Sequence, residues 1–174
     1  SPRGSRRPRW LEMALLGYAV VRSRDLFGAW FSAPFDALGW VAFAIWTLPL
    51  AFVARRHGLP RFGAGAHRAW FAGAGLALMF LGDAGDVNLG HHLGLASILI
   101  ALAPRVGRTL WACGALAWLP AFGWLASRGG LTPQTTAIAR VALALGASAW
   151  SFYASRSRRI SSDFSYADRP ELVH

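Results

Sequence analysis

Of 174 residues, 55% are hydrophobic and only 15% charged, well below the quarter typical of soluble domains, which disfavours a soluble globular fold and favours a membrane setting. Eighteen basic residues, all arginine, stand against eight acidic ones for a net charge of +10, but they cluster between apolar runs with no nucleic-acid motif, so no nucleic-acid partner is expected. The single cysteine, Cys113, excludes intrachain disulfides and Cys-rich zinc sites.

The chain opens on a basic arm, residues 1–9, carrying Arg3, Arg6, Arg7 and Arg9. Trp10 to Ala33 is the first apolar segment. Glu12 and the run Arg22-Ser-Arg-Asp25 interrupt it, so it reads as a tilted span or an interfacial helix, with Arg22 and Asp25 able to satisfy each other on one helix face. A helix needs about 20 mostly apolar residues to cross a bilayer. Ala37 to Ala54 and Thr109 to Ala126 meet this cleanly, and Thr136 to Ala154 does so if Arg140, in its first turns, snorkels to the interface or pairs inside the bundle. Ala69 to Gly82 and Val87 to Ala103 are shorter and form the arms of a hairpin. The fold expected is therefore all-α, a polytopic transmembrane helical bundle over 10–154 with six spans, or five if the first segment is interfacial. A polar tail over 155–174 comes after it, expected to be extended.

The arginines orient these spans. Arg55, Arg56, Arg61 and Arg68 follow the second segment, Arg105 and Arg108 the fourth, and Arg156, Arg158 and Arg159 the sixth; the connections after the third and fifth carry none and Arg128 alone. Under the positive-inside bias both termini are cytoplasmic in a multi-pass protein, with a bacterial inner membrane as the expected host. Trp10, Trp30, Trp40, Trp70, Trp111, Trp124 and Trp150 fall near segment ends, as an interfacial aromatic belt requires, while Trp46 and Trp118 lie deeper, near Pro49 and Pro120. Small residues recur at four-residue spacing in Ala69, Gly73 and Ala77, in Gly90 and Gly94, and in Ala142 and Gly146, the pattern that lets membrane helices approach closely.

Chemistry concentrates in Leu81 to Leu95, LGDAGDVNLGHHLGL. Asp83 and Asp86 are three apart and share a face if the helix continues that far, while the neighbours His91 and His92 diverge by about 100° on a helix, so only one can face a given site. Asp83, Asp86 and one histidine form a candidate polar site for a metal or a proton. The alternative is a hairpin turn rich in turn formers, with Asn88 or Asp86 capping the next helix. Haem would need a second histidine on another helix, and His67 falls on the opposite side; a lone axial histidine remains open. Cys113, within the apolar run WACGALAW, reads as a small structural residue. No phosphate loop, nucleophile elbow or zincin motif is present.

Two stretches, WFSAPFDALGWVAFAIWTLPLAFVARR (30–56) and HHLGLASILIALAPRVGRTLWACGALAWLPAFGW (91–124), give the order of features from residue 35 to 126 a form that resembles the N-terminal half of exosortase and archaeosortase membrane proteins. The resemblance implies a shared helical bundle. That family's transpeptidation would call on Cys113, then Arg140, then a later histidine; here Ala112-Cys113-Gly114 lacks the family's serine, and His174 is the only histidine beyond Arg140. The resemblance thus implies either a bundle without the enzyme or a divergent sortase-like enzyme. The leading expectation is a non-catalytic accessory subunit, with the lipid bilayer and other membrane subunits as partners. Energy-transducing complexes, where such subunits wall in lipid, quinone or pigment, are the expected hosts. The alternative is an intramembrane enzyme or transporter at Asp83, Asp86, His91 and His92.

Overall fold

The computed structural model describes residues 10–57, 65–103 and 108–167, with side chains over 10–56, 65–103 and 109–156. The basic arm, Arg61, Arg105 and the last residues including His174 lie outside them. Among the described residues every regular element is helical.

The first apolar segment is two helices, α1 (Trp10–Arg22) and α2 (Asp25–Ser32). Glu12 in the first turn and Arg22 in the last suit the dipole of α1. Ser23 at the break is buried and turns its hydroxyl to the His91 carbonyl at 3.1 Å. The break separates Arg22 from Asp25, and each takes a partner elsewhere, so the expected Arg22–Asp25 pair does not form. Ala33 is extended, as the residue before a proline is biased to be, and Pro34 opens a 3₁₀ turn, Pro34–Asp36. Leu38 then takes a left-handed φ of 62°. Gly39 starts α3 (Gly39–His57) hard against Trp30, where a Cβ would fall 2.2 Å from the indole.

Pro49 lies inside α3 and supplies no N–H to the Ile45 carbonyl one turn back. Ser148 replaces that donor, its hydroxyl reaching the Ile45 oxygen at 2.8 Å. This exchange ties α3 to α8 (Pro133–Ala167) at the point where α3 is weakest.

The hairpin is α4 (Ala66–Gly85) and α5 (Asn88–Ala101). Its turn is made by Asp86, the left-handed C-cap of α4 (φ 51°), and by Val87, the extended N-cap of α5; neither Asp86 nor Asn88 caps α5 through its side chain. Glycines bring the two backbones together. A Cβ at Gly90 would meet the Gly82 Cα at 2.7 Å, and one at Gly94 the Gly75 oxygen at 2.8 Å. Gly90 and Gly94 thus form one side of the ridge expected from the sequence. The other side is Gly75 and Gly82, because Ala69, Gly73 and Ala77 face outward, as do Ala142 and Gly146 on α8.

The segment expected as a straight span from Thr109 to Ala126 is broken. α6 (Arg108–Cys113) runs through a 3₁₀ turn, Gly114–Ala117, and α7 (Pro120–Arg128) leaves at 71°. Pro120 forces the bend, since its ring denies Leu119 the helical conformation, and Leu119 is extended. A break exposes backbone carbonyls, which must find donors if they are buried. Trp30 donates its indole N–H to the Trp118 oxygen at 2.9 Å, and Arg140 serves Ala117 and Leu119. Below the break, Trp46 and Trp111 stack at 4.1 Å and exchange hydrogen bonds, each indole N–H donating to the other residue's carbonyl.

Trp30, Trp46, Trp111 and Trp118 form the aromatic centre of the core. Trp30 and Trp111 are therefore buried rather than in the outer belt expected of them, whereas Trp10, Trp40, Trp70, Trp124 and Trp150 are exposed. α8 stays helical through Ala167, past the start of the tail expected to be extended. Pro34–Arg56 and Pro133–Arg156 are long and apolar enough to cross a membrane, and a third crossing results if the bent pair Thr109–Ala117 and Pro120–Arg128 is one broken span. The other expected spans are shorter or more polar: α1 has 13 residues, α5 has 14, and α4 carries His67, Arg68 and Asp83.

Candidate functional site

The polar residues gather where helices end or break. Asp83, in the last turn of α4, faces the last turn of α1 and the first of α5. Its Oδ2 accepts the Tyr18 hydroxyl at 3.0 Å, and its Oδ1 accepts from His91 Nε2 at 2.9 Å and pairs with Arg22. Arg22 Nη2 lies 3.4 Å from the same imidazole nitrogen. Gly82 makes the room: a Cβ there would meet the His91 ring at 3.1 Å.

His92 serves a different carboxylate. Its Nε2 is 2.9 Å from Asp25 Oδ2, at the start of α2. The divergence of neighbouring residues on a helix thus sends the two histidines to two acids on two elements. Both rings are buried, and each holds α5 to the strip of chain beside it.

The third cluster is the most enclosed. Arg140, on the second turn of α8, is fully buried, and its guanidinium pairs with Asp36. It also donates through Nε to Phe35 O at 3.2 Å, and through Nη1 to Ala117 O at 2.7 Å and Leu119 O at 3.2 Å. The Phe122 ring lies 5.4 Å from its central carbon, a cation–π contact. Gly123 is obligatory beside this pair, because a Cβ there would sit 2.4 Å from Asp36 Oδ1 and 2.8 Å from Arg140 Nη2. Arg140 therefore pairs inside the bundle, the second of the two roles open to it, and does not snorkel. His91 and His92 are neighbours on α5 and so bring the first two clusters side by side, while the Asp36–Arg140 pair is held by its own contacts.

Of the residues singled out from the sequence, Asp83, His91, His92 and Arg140 all take part in these clusters. Asp86 does not; it is exposed and does its work through the backbone of the turn. Among the described residues no group of three or more His, Cys, Asp or Glu side chains could hold a metal ion. His67 sits in the first turn of α4, about 24 Å along the helix from Asp83 at 1.5 Å per residue, and so shares no site with His91 or His92. Cys113 is exposed rather than buried in the apolar run around it.

Sequence reasoning missed Tyr18, Asp36 and Gly123. One signal was present for Asp36: it is a lone acid at the mouth of an apolar segment, and Arg140 is a lone base within another. Compared with known protein families, with curated proteins and with solved structures, the chain gives no match.

Proposed function

We propose that the chain is a multi-pass integral membrane protein that acts as a non-catalytic structural subunit of a larger membrane assembly. The arginine distribution supports six crossings, or five with α1 at the interface, and cytoplasmic termini. Bulky apolar side chains on the outer surface, among them Phe31, Trp70, Phe80, Leu81, Ile138 and Tyr153, support a lipid or protein environment over water. One observation carries the structural role. Each histidine, acid and arginine of these clusters is bound to a partner at a helix end, a hairpin or a helix break. Arg140, Asp36 and the two imidazoles are buried and Arg22 and Asp83 lie nearer the surface, an arrangement that serves architecture. Purification from the native membrane in mild detergent tests the reading: co-purifying chains are expected, and a lone monomer would overturn it.

The paired histidines favour one further reading, an intramembrane enzyme or transporter working at Asp83, His91 and His92, since imidazole–carboxylate pairs also handle protons. Asp83→Asn and His91→Ala separate the two readings; a protein that assembles and works normally with both substitutions is not an enzyme or transporter of that kind. A divergent sortase-like use of Cys113 asks more, because the Arg140 guanidinium is already taken up by Asp36 and three carbonyls.

A further inference from the structure

A cavity of about 440 Å³ opens between the start of α5 and the start of α7, lined by Asn88, Leu89, His92, Pro120, Ala121 and Trp124. Small-molecule sites have this character: apolar walls with a few placed polar groups. Asn88 and His92 are the polar side chains of the lining, and His92 is the buried one. It is more than nine-tenths buried, and Asp25 occupies its Nε2. Among the described residues its hydrogen bond runs through Nε2, which leaves Nδ1 as the ring nitrogen to offer a ligand.

The carboxylate on Nε2 selects the tautomer. A neutral ring that donates Nε2–H to Asp25 presents Nδ1 as a lone-pair acceptor. A ligand oxygen without a hydrogen gains nothing there, and an alkyl chain leaves the acceptor unpaired; a hydroxyl completes it. Around the imidazole, Leu89, Pro120 and Ala121 provide apolar walls, and Trp124 provides a half-exposed indole with the Arg128 guanidinium 5.2 Å from its ring. Such surroundings suit a flat aromatic ring.

We propose that this cavity binds a hydroxylated aromatic ring, a phenol or hydroquinone, with its hydroxyl donating to His92 Nδ1 and its ring against Trp124. Binding here needs neither a partner subunit nor a bilayer crossing.

The probes are 4-octylphenol and its methyl ether, 4-octylanisole, which differ only in whether the oxygen carries a hydrogen or a methyl group, titrated into the full chain in lipid nanodiscs. The phenol binds saturably at one site per chain and about tenfold more tightly than the ether, the equivalent of one net hydrogen bond. Water-soluble 4-methylphenol competes for the same site, as recognition of the ring rather than the chain requires. His92→Phe abolishes the preference for the phenol. Because His92 is buried and its loss can unfold the protein, Leu89→Trp provides an independent readout: Leu89 is 44% exposed, and the larger side chain fills the cavity and removes binding while the helical circular dichroism is unchanged. Equal affinity for phenol and ether, no competition by 4-methylphenol, or undiminished binding in Leu89→Trp would each overturn the proposal.

Discussion

Replacing Asp36 with Asn removes the only carboxylate among the described residues that contacts a guanidinium that is 0% exposed. Taking one partner from a buried ion pair costs about 3–5 kcal/mol when the remaining charge has nothing else to bind. Arg140 keeps three carbonyl acceptors, at 2.7, 3.2 and 3.2 Å, and the amide oxygen of Asn keeps a neutral hydrogen bond. The expected loss is therefore at or below the lower end, about 2–3 kcal/mol. Arg140→Leu is worse. It leaves an acid without its cation and removes a donor from the carbonyls at the 71° bend, each of which adds about 1–3 kcal/mol when unsatisfied. The double substitution recovers part of the charge term and none of the carbonyl term, so the two changes are not additive. Gly123→Ala reaches the same pair by a different route, since its new methyl would occupy the space of Asp36 Oδ1. Unfolding titrations in mixed micelles, followed by tryptophan fluorescence, report all four variants, because Trp118 lies at the bend itself. An Asp36→Asn protein within about 0.5 kcal/mol of wild type, the usual scatter of neutral surface changes, would refute the claim that this pair holds the bend.

Two other substitutions test the packing. Ser148→Ala strips the Ile45 carbonyl of its donor and costs about 1 kcal/mol in the same titration, whereas in a Pro49→Ala background it costs nothing, because residue 49 then supplies the missing N–H itself. Gly90→Val drives a side chain into the Gly82 Cα and the Leu78 carbonyl, backbone atoms that cannot step aside, and destabilises the hairpin by about 1–3 kcal/mol; Gly73→Ala, with open space around it, is neutral or slightly stabilising.

Much of the helix order was legible because apolar run length is a local property. The expected segments from Ala37 to Ala54, Ala69 to Gly82, Val87 to Ala103 and Thr136 to Ala154 match the cores of α3, α4, α5 and α8 to within a few residues, apart from the extension of α8 through Ala167. The hairpin turn was legible for the same reason: an aspartate that tolerates a left-handed φ ends α4 where the sequence places it. Less was legible of the breaks. Pro120 marked one of them, yet a proline in an apolar run can also kink a continuous helix, as Pro49 sits within α3, and only the available partners separate the cases.

The composition and the spacing of its apolar runs, both summed over neighbours in the chain, determined by themselves that this protein is helical and apolar on its outside. They also determined that adjacent histidines on one helix must seek two different partners. Which partners was a matter of tertiary structure. Asp83 and Asp25 reach His91 and His92 across 8 and 67 residues of chain, and Asp36 reaches Arg140 across 104. The first of these lies within the hairpin, where the sequence already grouped Asp83 with one histidine, but no local rule links the other two pairs, 67 and 104 residues apart. Arg140 and Asp36 meet where the break before α7 leaves buried carbonyls that only a donor from elsewhere in the bundle can satisfy.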